Sequence, residues 1–187
     1  MDHGPIDGSD GGRIELDPPL SRVPWSAEFG SRSLEIFFVC LVDGMPWVLQ
    51  PIHADSLVVG WNPDAQPGTV VVDAAKRYGL EPALVHSTSW RVAEDRLVLT
   101  YIAIVPAPSD PGPHLAMRPI VRAELARGGA LDAPKSIGTD AVLEHALRHL
   151  RWLIGDDDVV REAAADWAAV LSDHAPEPFR AFGAGIP

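Results

Sequence analysis

Residues 66–106 read QPGTVVVDAAKRYGLEPALVHSTSWRVAEDRLVLTYIAIVP. In the first part, Val70, Val71, Ala74, Ala75 and Tyr78 fall on one side of a helical wheel, with Asp73, Lys76 and Arg77 on the other. Thr69 is a suitable N-cap and Gly79 a C-terminal stop, which predicts a short amphipathic helix over 70–78. Two β-rich runs follow, at 83–91 and 96–105, with Ala93, Glu94 and Asp95 at the tip between them. They are expected to pair as a hairpin.

Working upstream, LEIFFVCLV at 34–42 is a nearly unbroken apolar, β-prone run, expected as a central strand buried on both faces. Asp43-Gly44 marks a turn, and WVLQPI at 47–52 returns as its partner, with Pro51 at an edge or bulge. Residues 57–61 make a further short strand, and NPDAQPG at 62–68 is loop. Residues 1–24 are rich in Gly, Pro and Asp and are expected as a flexible leader whose end Trp25 and Phe29 pin down. Downstream, 106–113 is a proline-rich break, 117–125 is ambiguous between strand and loop, and 127–137 is loop. Two C-terminal helices are expected. Thr139 or Asp140 caps 141–154, and the run Asp156-Asp157-Asp158 opens 159–171. Phe179 and Phe182 in the tail are expected to latch onto the core. The whole reads as one α+β domain over 25–187, with a mixed β-sheet packed between helices.

Composition narrows the classes. A chain of 187 residues is long enough to bury a core without disulfides or metals. The net charge of −11 disfavours non-specific nucleic-acid binding, which needs Lys and Arg in surplus. Apolar runs fall well short of the roughly 20 residues a membrane helix needs, so no membrane partner is expected. The lone cysteine, Cys40, lies inside an apolar run and reads as a buried thiol of a cytoplasmic protein. Few lysines alongside abundant Ala, Gly and Pro fit a GC-rich bacterial genome.

The order of strand, strand, loop, short helix ending in Gly-Leu, hairpin and late helix resembles the Nudix hydrolase fold. The local likeness lies in AAKRYGLEPALVHSTSW followed by RLVLTYIAIVP. The family's signature box has an opening glycine, a glutamate, an Arg-Glu-aliphatic step, a Glu-Glu pair and a closing Gly-aliphatic pair. With Gly79-Leu80 at the close, the Glu-Glu pair falls on Lys76 and Arg77 and the Arg-Glu step on Val72 and Asp73. The upstream glutamate falls on Asp64 and the opening glycine on Val58. The resemblance implies a family that cleaves diphosphates with Mg²⁺. In this chain two cations stand where the metal-binding carboxylates would be. At about 5 Å and an effective dielectric of about 20, each repels a divalent ion by roughly several kcal/mol. A degenerate, metal-free member is therefore expected, without a catalytic residue set or cofactor. Its role would be binding of a small anionic or nucleotide-like ligand, or scaffolding as a homodimer. The alternatives are a phosphohydrolase using Mg²⁺ on Asp64, Asp73 and Glu94, and a protein-interaction domain that uses its C-terminal helices.

Lys76 and Arg77 are the first ligand-binding candidates, since they can hold a phosphate or carboxylate directly. His86, Trp90 and Arg91, in the most polar strand-like run, and Tyr101 on the return strand complete the set. The bland alternatives are an amphipathic helix's solvated face and ordinary strand alternation. His145 and His149, at i and i+4, share a helix face and have metal-ligand spacing, but read better as histidines at the edge of the core. The three aspartates at 156–158 read as helix capping. A Ser-His-Asp set lacks a GxSxG elbow to support it.

Overall fold

The computed structural model describes residues 15–16, 31–93, 96–123, 138–177 and 180–182. Everything in it is arranged about β2 (Arg32–Val42), in which Ser33 to Cys40 form eight consecutive buried residues. A strand apolar on both faces needs partners on both edges and a layer on each side. One edge of β2 pairs in parallel with β6 (Arg96–Ile104). The other edge is shared by two antiparallel strands, β3 (Met45–Pro51) beside 38–42 and β4 (Leu57–Gly60) beside 33–36. Asp43 and Gly44 close the β2–β3 turn with φ of 51° and 75°, the left-handed pair that a two-residue hairpin requires.

Between β3 and β4 the chain leaves the edge of β2. Pro51 stands at that departure, and the other edge of β3 pairs over 47–51 with β7 (Leu115–Pro119), the strand left ambiguous by sequence. The predicted hairpin is present as β5 (Leu84–Ala93) against β6. Two short strands extend the sheet to eight. β1 (Glu15–Leu16) runs parallel to β4, and β8 (Arg180–Phe182) runs parallel to β5. Within 1–24 only Glu15–Leu16 is described, and it is strand; the rest of the expected leader, with Trp25, Phe29 and Phe179, lies outside the described residues.

The pleat of β2 sorts the core into two layers. Leu34, Ile36, Phe38 and Cys40 face α1 (Pro67–Arg77), meeting Val71, Ala74 and Ala75. Phe37 and Val39 face α2 (Thr139–Asp156), meeting Val142, Leu143, Ala146, Leu147 and Leu150. Burying each such side chain contributes roughly 1.5–3 kcal/mol, so both layers are needed to hold the strand. The fold is α+β, a mixed sheet between helices.

The helix ends correct the sequence reading in detail. α1 begins three residues before 70, because Pro67 sits in its first turn with φ already helical; Gln66, not Thr69, holds the N-cap position, without a side-chain bond. Its end is as expected. Gly79 takes φ of 70°, and the N–H groups of Gly79 and Leu80 donate to the carbonyls of Lys76 and Ala75 at 3.0 Å each. At α2, Gly138 rather than Thr139 or Asp140 is the N-cap residue. The final helix is split into α3 (Asp158–Ala163) and α4 (Trp167–Val170), although no Gly or Pro interrupts it. Asp157 caps α3 through bonds from the N–H groups of Val159 and Val160, which accounts for the aspartate run without an ion.

Cys40 is fully buried and burial pushes its thiol pKa up. A thiol-specific reagent at neutral pH is expected to leave the native protein unlabelled and to react with one equivalent once denaturant unfolds it. Labelling of the native protein at the rate of a free thiol would contradict this packing.

Candidate functional site

The polar residues of interest are sorted by a single irregularity in the hairpin. Before it, His86 pairs with Ile102 and Ser87 with Tyr101; after it, Ser89 pairs with Thr100 and Arg91 with Val98. Thr88 is the extra residue of a β-bulge, and it shifts the alternation of β5 by one. Arg91 is thereby placed on the α2 side of the sheet, together with Ser33 and Glu35 of β2.

There Arg91 reaches across β6. Its Nη1 donates to Glu35 Oε2 at 2.7 Å and to Thr100 Oγ1 at 3.2 Å, Thr100 being the β6 residue that lies between them in register. Ser56 Oγ donates to Glu35 Oε1 at 3.0 Å. Glu35 is 4% exposed, so its charge is removed from water and depends on this arginine. Ser33, Glu35, Val58, Arg91, Ala93, Arg96 and Val98 enclose a recess of about 50 Å³. Ser33 Oγ is buried there and has no hydrogen-bond partner among the described residues.

The sequence-predicted candidates divide between the two sides of the sheet. His86 and Arg91 share the α2 side, whereas the register turns Trp90 and Tyr101 to the α1 side. Trp90 and Arg91 therefore do not form a clamp around one ligand. Burial pushes the Tyr101 phenol up, and a hydrogen bond with Ser87 partly offsets this. Lys76 and Arg77 are exposed in the last turn of α1, where cations complement the helix dipole. Asp73 is exposed on the same helix. Asp64 is exposed in the preceding loop, its own N–H bonded to Asn62 Oδ1 at 3.0 Å. Glu94 lies outside the described residues. Among the described residues no group of His, Cys, Asp and Glu has the arrangement of a metal site.

A second polar cluster fastens the C-terminal segment to α2. Glu144, 1% exposed, accepts from Arg148 Nε at 2.8 Å and Arg122 Nη2 at 3.5 Å, and its Oε1 lies 3.2 Å from His174 Nδ1. His145 Nδ1 lies 3.1 Å from Glu177 Oε2, and His149 Nδ1 lies 3.1 Å from the Glu177 carbonyl. The Glu177 N–H in turn donates to the Arg148 carbonyl. His145 and His149 are thus core histidines that hold a strap of chain. His86 stands beside them, its ring centroid 5.6 Å from that of His149 and its Nδ1 2.7 Å from the Ser87 carbonyl.

Glu35, Ser33, Ser56, Thr100, Arg96, Glu144, His174 and Glu177 were not among the sequence candidates. One signal was available for Glu35: a carboxylate inside a strand expected to be buried on both faces must have a cationic or hydrogen-bonding partner. The identity of that partner, 56 positions away, had no local signature. Compared with protein-family models and with curated proteins, the chain matches none. Among the described residues no helix is long and apolar enough to cross a membrane.

Two measurements check these networks. Arg91→Ala leaves Glu35 buried and unpaired, and should lower the unfolding free energy by about 3–5 kcal/mol. The double variant Glu35→Leu/Arg91→Met should recover most of that loss, as read by denaturant unfolding. For Glu144, burial alone would raise its pKa, but His174 and Arg148 outweigh burial and hold it at about 2. A carboxylate with a depressed folded pKa stabilises above its unfolded value, and that stability is lost as pH falls through the folded one. Between about pH 5 and pH 2 the wild type should lose on the order of 3 kcal/mol more than Glu144→Gln. Equal acid sensitivity of the two proteins would contradict the assignment.

Proposed function

We propose that this chain is a binding protein for a small anionic, nucleotide-like molecule, and that it does not hydrolyse that molecule through a helix-bound metal. The observation that carries the reading is the charge on the outer face of α1. Lys76 and Arg77 stand exposed side by side, at the positions where the Nudix resemblance expects metal-binding glutamates. Among the described residues neither is engaged in an ion pair, so both charges are available to a phosphate. An ammonium supplies a point charge and a guanidinium a planar fork, and together they replace the neutralisation that a divalent metal would provide. Half-buried Trp90, on the same side of the sheet, offers apolar ring surface to a base, while Tyr101 packs against the core there. The reading is also supported by the layering of the fold, in which α1 follows the strands and precedes the hairpin as the resemblance implies.

A thermal-shift screen with nucleoside phosphates and sugar phosphates, run in the presence of EDTA, is expected to return at least one stabilising compound. Lys76→Ala/Arg77→Ala should weaken its binding by about tenfold or more, a value in keeping with hydrogen bonds to charged groups. Metal-dependent release of phosphate from a nucleoside diphosphate compound, lost on Asp73→Asn, would overturn the proposal in favour of an active hydrolase.

A further inference from the structure

We propose that the recess bounded by Ser33, Glu35, Arg91 and Arg96 is a second binding site, specific for one small oxyanion group, a phosphate or a carboxylate. It lies on the opposite side of the sheet from the α1 face and does not depend on the reading given for that face.

The size of the recess sets the size of the ligand group. About 50 Å³ exceeds the volume of a single water, roughly 30 Å³ in the liquid. It is far below the roughly 300–1,000 Å³ of a pocket that encloses a drug-sized molecule. The site therefore takes the terminal group of a ligand and not the whole of one.

The lining sets the chemistry. Ser33, 1% exposed, holds a hydroxyl without a partner among the described residues, and a buried hydroxyl left so is costly. The carboxylate of Glu35 is neutralised by Arg91 and further bonded to Ser56, so the floor carries no net charge. Arg96 then adds a second arginine to the lining. Its five N–H donors allow it to keep a protein partner on one edge and still serve a ligand. A cation entering would find the one lining carboxylate, Glu35, already paired with Arg91. An oxyanion would accept from the Ser33 hydroxyl and from arginine N–H groups, charge-assisted bonds that the apolar side chains of Val58, Ala93 and Val98 beside them strengthen.

The test is calorimetric titration of the full chain with inorganic phosphate and, separately, with acetate. Saturable binding of at least one ion is expected, and the preferred ion identifies the ligand group. Ser33→Ala and Arg96→Gln should each weaken it by about tenfold, with the Ser33→Ala unfolding midpoint not lowered, while Lys76→Ala/Arg77→Ala leaves it intact. The proposal is overturned if neither ion binds saturably. It is overturned equally if binding survives both Ser33→Ala and Arg96→Gln, or is lost only with Lys76 and Arg77, which would place the anion at α1 instead.

Discussion

A strand with no face open to water constrains everything built around it. β2 carries eight buried residues in succession, so its backbone groups must be paired on both edges and its side chains covered on both sides. The parallel partner β6, the split antiparallel edge of β3 and β4, and the helical layers above and below are the ways this chain meets that demand. A parallel neighbour cannot be reached by a tight turn. The chain between β4 and β6 accordingly includes a helix and an antiparallel strand before it returns to β2.

The same demand explains the most unusual residue of the strand. Glu35 occupies a position from which water is excluded, and a lone carboxylate there would be strongly destabilising. Arg91 and Ser56 meet it from two other strands or loops, so one buried charge ties β2, β5 and the segment before β4 together. That network forms only because Thr88 bulges, since a regular strand would have turned Arg91 to the other side of the sheet. A recess beside such a network has rigid walls, because moving any member would leave a charge unpaired.

The polar groups of the C-terminal region perform a comparable task. Glu144, His145 and His149 present three bonding groups from one helix, and His174 and Glu177 bring the returning chain onto them. In this histidine pair at metal-ligand spacing, one Nδ1 meets a carboxylate and the other a carbonyl. Spacing on a helix brings two side chains to one face, but the third partner decides their chemistry, and it arrives from distant sequence.

The elements of this protein were legible wherever a local pattern controls them. The apolar run at 34–42, the Asp43-Gly44 turn, the amphipathic spacing of 70–78, the Gly79 stop and the aspartate cap at Asp157 follow from periodicity and backbone chemistry that span a few residues. The α+β class follows from their order. Only the tertiary structure decided which candidates share a site, because a single inserted residue reverses the facing of every side chain after it and leaves no mark in composition. Alternation along β5 already sets Trp90 and Arg91 on opposite faces; the tertiary structure chose the face of each, joined Arg91 to Glu35 and left Lys76 and Arg77 at the surface. Sequence determines the period of each element; contact between elements is set by register, and register is resolved only when the buried faces meet.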